Sequence, residues 1–485
     1  MRIVAAIIFT AFISYLFWRD LRRPDRDSIS WVPFVWMFIA GSRFVSRWFD
    51  LQPSGNALDG YAEGSPLDRT VFMLLILWGS VTLYRRQISW SRLLAGNKWL
   101  VAYFLYCLLS MTWSEEPQIL AKRWAKDLGN PIVALVMLTE QRPYEAIVLT
   151  LRRLAFVWMP LSILFIRWYP EFGRAYSPAG AVMYSGVADQ KNTLGLSCLV
   201  VGISCAWKLL MKRDAVDRYD FAIAAMVGWL LYMSNSKTSL ACFVAAAFIL
   251  VYAARSASSQ RPTRLITATL LGVALYTAGD SLLNVTNYAF TLLGRDQTLT
   301  NRTEIWSILL SFRTNPFIGT GFMSFWTGDR MRAAWTAIGS PINQAHNGYL
   351  EQYLNLGYIG VSFIGLISLA AIVSVRRHLK EDYAAGVLRF CFIVTALLYN
   401  YTEASFYGIN NIWLLFLVAC IDLSKFRAAG ADAVVVRRAA ANSEAPHRRR
   451  RVASTSTLSD TRLKWYARHR RTRIGERHVP LVRRL

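Results

Sequence analysis

Leu356-Gly357-Tyr358-Ile359-Gly360-Val361-Ser362-Phe363-Ile364-Gly365-Leu366-Ile367-Ser368-Leu369-Ala370-Ala371-Ile372-Val373-Ser374-Val375 runs for twenty residues without one acidic or basic side chain. As an α-helix it extends about 30 Å, the thickness of a bilayer's hydrocarbon core. Within that core every backbone N–H and C=O must be paired without water, so the run reads as a membrane-spanning helix. Similar runs lie to either side. Before it come Ile3–Trp18, Trp31–Phe49, Thr70–Tyr84, Trp99–Trp113, Gly129–Leu138, Leu154–Trp168, Thr193–Met211, Phe221–Met233, Thr238–Ala254 and Leu265–Ala278; after it come Ala384–Tyr401 and Ile409–Leu423. Gly129–Leu138 is the weakest of them, being short and containing Pro131. Ile3–Trp18 lacks a small-residue cleavage site and reads as an uncleaved helix. The expected fold is all-α, a polytopic transmembrane helical bundle of about 12–13 spans. One long loop, roughly residues 279–353, interrupts it and is expected to contain short helices.

Lys and Arg resist translocation, so their distribution orients the chain. Arg19/Arg22/Arg23/Arg26, Arg85/Arg86/Arg92, Arg152/Arg153, Lys208/Lys212/Arg213, Arg255/Arg261/Arg264 and Arg376/Arg377/Lys380 fall in alternate connections and are expected on the cytoplasmic side. The intervening segments, among them Asp50–Asp68, the long loop and Tyr401–Tyr407, then face outward. Residues 1–424 form the expected membrane domain and residues 425–485 a basic cytoplasmic tail. The net charge of +25 suggests nucleic-acid binding until it is divided by region. The tail carries seventeen Lys/Arg against four Asp/Glu, about half of the excess, and is poor in apolar residues, so it reads as a disordered anchor for anionic lipid. No nucleic-acid partner is expected.

Composition also narrows the chemistry. The six cysteines all lie within predicted spans, and no CxxC or Cys/His pair suggests a metal. The DxD triplet Asp25-Arg26-Asp27 is crowded by Arg22 and Arg23, whose charge opposes a divalent cation. No metal and no cofactor is therefore expected. Charges at mid-span are few: Arg43, Arg47 and Arg389 lie near enough to helix ends to snorkel, which leaves a proton-coupled transporter with little support.

The histidines point to one place. His378, His447, His469 and His478 fall in cytoplasmic segments, while His346 faces outward in Gln344-Ala345-His346-Asn347-Gly348-Tyr349-Leu350-Glu351, where a helix begins. A helix N-terminus disfavours a positive ring, which suits a general base. The same loop holds Arg295, Arg302, Arg313, Arg330 and Arg332. Arg302 opens a short apolar helix through Trp306, suited to the bilayer surface. Guanidinium groups beside an interfacial histidine fit the charge of a departing lipid diphosphate, although each arginine alone reads more readily as a headgroup contact, and it is their grouping with a single histidine that favours the site.

Several fragments in fixed order carry a resemblance: Arg302-x3-Trp306, Asn315-Pro316-Phe317-Ile318-Gly319-Thr320-Gly321, His346-Asn347-x-Tyr349-Leu350 and Leu356-Gly357-Tyr358-Ile359-Gly360. Together they resemble the O-antigen ligase and polymerase superfamily. Met111-Thr112-Trp113-Ser114, Gln190-Lys191-Asn192-Thr193-Leu194-Gly195 and Ser234-Asn235-Ser236-Lys237-Thr238-Ser239 look closest to its succinoglycan-type exopolysaccharide-polymerase branch. The resemblance implies a metal-independent, inverting glycosyl transfer at the outer face of a bacterial inner membrane. The donor is an oligosaccharide on undecaprenyl diphosphate, and the partners are a glycan acceptor, membrane lipids, a flippase and chain-length or export proteins. His346 takes the position of the family's essential histidine, and Arg302 that of its diphosphate-holding arginine. Lys237 stands where the family usually has arginine, so a point charge replaces a two-pronged fork; Lys191 is expected to compensate. Glu351, Asn347, Tyr349 and Trp306 are possible substrate contacts, the aromatic rings through sugar C–H faces. A ligase acting on lipid A core shares this chemistry, and a non-enzymatic polysaccharide exporter is the bland alternative.

Overall fold

A computed structural model describes residues 1–22, 29–49, 65–176, 180–256, 262–283 and 302–423. The Asp25-Arg26-Asp27 triplet, most of the Asp50–Asp68 loop, Arg295 and the basic tail lie outside the described residues. The helices in chain order are α1 (Arg2–Leu21), α2 (Val32–Gly41), α3 (Pro66–Arg85), α4 (Trp90–Gly96), α5 (Lys98–Leu109), α6 (Pro117–Asp127), α7 (Gly129–Leu138), α8 (Pro143–Trp168) and α9 (Lys191–Met211). There follow α10 (Arg218–Ser234), α11 (Lys237–Arg255), α12 (Pro262–Leu283), α13 (Arg302–Ser311), α14 (Gly328–Ile338), α15 (Gly348–Glu381), α16 (Tyr383–Thr402) and α17 (Asn411–Cys420). Proline opens α3, α6 and α8 at the first helical position, where its missing N–H has no intrahelical partner to lose. A two-stranded antiparallel ribbon, Arg174–Tyr176 with Val182–Tyr184, follows α8.

The all-α polytopic helical-bundle architecture is as expected. Among the described residues seven helices are long and apolar enough to cross a membrane: α1, α3, α8, α9, α11, α15 and α16. A bent pair, α4 with the run Lys98–Trp113, makes up to eight. The predicted run Trp31–Phe49 breaks after Gly41, and α2, α7 and α17 are each ten residues long. Such helices are too short to face lipid across the whole bilayer. They sit inside protein instead: Val133, Ala134 and Val136 of α7 and nearly every residue of α17 are inaccessible to solvent. Hydrophobicity that read as span length is core packing here.

Buried charge also departs from expectation. Arg389 does not snorkel; it is buried and donates to the Ala419 and Ile421 carbonyls and to Ser374 Oγ. Arg153 pairs with Asp20 at 3.0 Å, with both side chains buried. Arg152 reaches Asp217 and Asp220, and Lys208 also binds Asp220. Asp217 lies outside the spans, and hydrogen bonding to Arg152 and the charge of Arg152 overcome its burial and hold its carboxyl below the usual range. These groups pair internally instead of reaching for water, which meets the cost of removing charge from solvent.

The Leu356–Val375 run lies within α15, and α15 is not continuous. At Gly357 the backbone turns to φ +64°, a conformation that L side chains rarely adopt, and the i→i−4 ladder opens. The loop Asn315–Gly321 fills the gap. Thr320 and Gly321 donate their N–H groups to the Leu354 and Asn355 carbonyls at 3.1 and 2.7 Å. Tyr358 and Ile359 donate theirs to the Pro316 and Phe317 carbonyls at 2.8 and 3.2 Å. Two sequence fragments that stood apart as motifs are thus the two halves of one backbone joint. A Cβ at Gly357 would lie 2.2 Å from the Phe317 carbonyl, and one at Gly319 would lie 2.4 Å from the Asn355 carbonyl carbon. Gly357→Ala and Gly319→Ala should each destabilise the protein by about 2 kcal/mol or more, read as a lowered thermal midpoint in detergent. Gly228→Ala, where a Cβ meets nothing within 4 Å, should leave the midpoint unchanged or raised; equal effects at all three positions would contradict the joint.

Candidate active site

The segment carrying His346 is fixed by three side chains. Asn347 caps α15, its Oδ1 accepting from the Tyr349 and Leu350 N–H groups at 3.0 and 3.1 Å. Trp306 on α13 donates its indole N–H to the Ala345 carbonyl at 2.8 Å. Glu351, one turn into α15, accepts from the Ala345 N–H at 2.7 Å through one oxygen, and from Trp326 Nε1 at 2.7 Å through the other. Asn355 Nδ2 adds a third bond to that carboxylate at 3.1 Å. The residue between these supports, His346, takes φ +48°. This left-handed backbone is uncommon for a residue with a side chain and needs such bracing to persist.

All four expected substrate contacts make hydrogen bonds within the protein. Glu351 is completely buried and its oxygens are occupied by neighbouring donors. Tyr349 donates its hydroxyl to the Leu397 carbonyl at 2.9 Å and packs edge-on against Phe406. Asn347 is spent on the helix cap. Trp306 is half-buried, and its indole N–H is taken by Ala345.

The group that organises the site is Glu403, at the end of α16. Its Oε2 lies 3.4 Å from His346 Nδ1, and its Oε1 accepts from Arg302 at 2.9 Å and from Asn192 Nδ2 at 3.1 Å. Arg302 uses its other terminal nitrogen on the Thr402 carbonyl, while the Thr402 and Thr238 hydroxyls meet at 2.7 Å. Arg302 is thus a held cation. Lys191 and Lys237 each precede a residue of this network, Asn192 and Thr238, and each is the first residue of its helix, α9 or α11. Neither helix has a side-chain cap at its N-terminus. Four helix N-termini, those of α9, α11, α13 and α15, converge on the end of α16, and the partial positive charge there favours an anion.

This arrangement has a chemical consequence. A carboxylate at Nδ1 favours the tautomer with the proton on that nitrogen, which leaves the Nε2 lone pair as acceptor. The His346 side chain keeps 28% of its exposure, enough to meet a ligand, while the Glu403 side chain keeps 8%. Glu403, Asn192 and Thr402 were missed in the sequence. The available signal was small: Glu403 is the acidic residue in the short outward connection Tyr401–Tyr407. Among the described residues no group of three His, Cys, Asp or Glu is placed to hold a metal ion.

Residues 221–365 match the O-antigen ligase family, and over that stretch the chain is similar to it. No curated protein matches the chain. The O-antigen ligase region takes in Lys237, Arg302 and His346 and ends eight residues beyond the break at Gly357. Asn192 and Glu403 come from flanking segments that complete the same network. Because Glu403 and Arg302 are largely buried, removing one leaves the other uncompensated. Glu403→Ala should cost roughly 2 kcal/mol or more of stability, and Glu403→Gln less, since the amide still accepts hydrogen bonds. Chemical denaturation of both variants checks this, and equal stability to the wild type would contradict the pairing.

Proposed function

We propose that the protein is a membrane glycosyltransferase that polymerises oligosaccharide repeat units carried on undecaprenyl diphosphate, at the periplasmic face of a bacterial inner membrane. The observation that carries this reading is His346, in the stretch similar to the O-antigen ligase family, backed by Glu403 from outside it at the meeting point of helix N-termini and cations. The donor enters from the outer leaflet. Lys237 and Lys191 bind its diphosphate, and Arg302 adds its charge from a fixed position. His346 Nε2 takes the proton of an acceptor hydroxyl as that oxygen attacks the anomeric carbon. The bond from that carbon to the diphosphate oxygen breaks, and the lipid diphosphate leaves with the electron pair and the configuration inverted. Glu403 steadies the imidazolium that forms, as the carboxylate does in other His–carboxylate pairs. No step requires a metal ion.

The upstream motifs around Met111, Lys191 and Lys237 favour the exopolysaccharide-polymerase branch, with a flippase and chain-length or export proteins as partners. The family's description favours a second reading, transfer of the same donor to lipid A core. Residues 425–485 serve in either case as a basic cytoplasmic anchor to anionic lipid.

With purified protein and lipid-linked repeat units, His346→Ala should reduce chain growth by about 10²–10⁴-fold, the usual contribution of a general base. A chelator should leave the rate unchanged, and the new linkage should show the opposite anomeric configuration by NMR. Wild-type protein that yields no longer chains, or a His346→Ala protein that inserts and polymerises normally, would favour a non-enzymatic exporter.

A further inference from the structure

A second cationic space lies across the Glu351 support from the His346 network. It is a cavity of about 470 Å³ between α3, α6 and the segment that follows the Asn315–Gly321 loop. Arg69, Lys122, Arg123 and Lys126 line it, against the single carboxylate of Asp68. That carboxylate is occupied by Ser46, whose N–H and hydroxyl reach it at 2.9 and 2.6 Å. Arg123 donates to the Met323 carbonyl, and Lys126 sits over the Phe44 and Phe72 rings at 5.5 and 5.3 Å. Burial pushes both Lys126 and Arg123 below their ordinary values, so an arriving anion would relieve a desolvation already present. Phe72, Met73 and Ile119 give the wall an apolar part.

The cavity is tied to the proposed catalytic histidine. Trp326 and Tyr407 both line it, Trp326 donates to Glu351, and the other Glu351 oxygen holds the Ala345 N–H next to His346. Burial beside Glu351 pushes the Tyr407 hydroxyl well above its ordinary value, so it stays a neutral donor. A four-to-one excess of cations with an apolar wall fits a phosphate group attached to a lipid or glycolipid better than a neutral sugar.

We infer that this cavity binds the phosphate group of a second amphiphile, the lipid-borne acceptor. The assignment rests on the proposed transfer reaction, which needs a second substrate within reach of His346 beside the donor. In a polymerase the phosphate is the diphosphate of another lipid-linked chain; in a ligase it is a phosphorylated glycolipid core. Arg69 and Lys122 are exposed at the rim, so their replacement leaves the fold intact.

The test is equilibrium binding of labelled farnesyl diphosphate to the full chain in phosphate-free detergent, with farnesol and inorganic pyrophosphate as comparators. Two saturable equivalents are expected. Arg69→Gln/Lys122→Gln should weaken one of them about tenfold or more, the loss expected from two charge-assisted contacts. Lys191→Gln/Lys237→Gln should weaken the other. An unchanged titration for Arg69→Gln/Lys122→Gln, repeated with Lys126→Gln, would overturn the inference while leaving the His346 site standing. Loss at the rim variant with no effect of Lys191→Gln/Lys237→Gln would uphold the cavity and overturn the donor site. Inorganic pyrophosphate binding the rim-sensitive site as tightly as farnesyl diphosphate would make it a soluble-anion site and overturn the lipid-borne assignment.

Discussion

A backbone N–H or C=O buried without a partner costs several kcal/mol, and the break in α15 at Gly357 frees two of each. The Asn315–Gly321 loop supplies all four partners. The break is permitted because the loop fills it, and the loop is positioned because the break receives it. From this joint the structure builds in both directions. Below it, α15 continues as an apolar span. Above it, the first turns of α15 carry Glu351, which fixes the Ala345 N–H and the Trp326 indole and so determines where His346 sits.

The site therefore depends on two carboxylates with different duties. Glu351 is sealed from solvent and satisfied by hydrogen bonds, so it acts as a fastener. Glu403 is shared by His346, Arg302 and Asn192, three residues far apart in the sequence, and its charge is set against that of Arg302. The polarity of that arrangement fits the proposed transfer, in which negative charge grows on a departing diphosphate while positive charge grows on an imidazole. Preorganisation is visible in the backbone as well. A left-handed φ at His346, held between an Asn cap and a Trp hydrogen bond, is a local cost accepted where geometry matters.

Apolar runs made the helical membrane fold legible in the sequence, and the census of histidines singled out His346. Helix length was less legible, because a ten-residue apolar helix buried by protein and a short stretch of a spanning helix have the same composition. α7 and α17 are examples. Arg389 misled in the same way: position along a helix suggested snorkelling, whereas its partners are carbonyls of α17 and Ile421, brought near by tertiary packing. Glu351 and Glu403 reversed their expected prominence. The glutamate five residues after the histidine looked available and is a buried support, while the one 57 residues away is the histidine's partner. No local pattern encodes that pairing; it follows from α15 and α16 packing together with Asn400 pressed against Gly348.

The central claim is that His346 and Glu403 act as one unit in glycan transfer, and a double-mutant cycle on the turnover rate with defined lipid-linked donors tests it most directly. If the pair acts as a unit, His346→Ala/Glu403→Gln is no slower than His346→Ala alone, since the carboxylate has lost the ring it serves. Two full and additive losses would show that Glu403 works independently of His346 and would contradict the account.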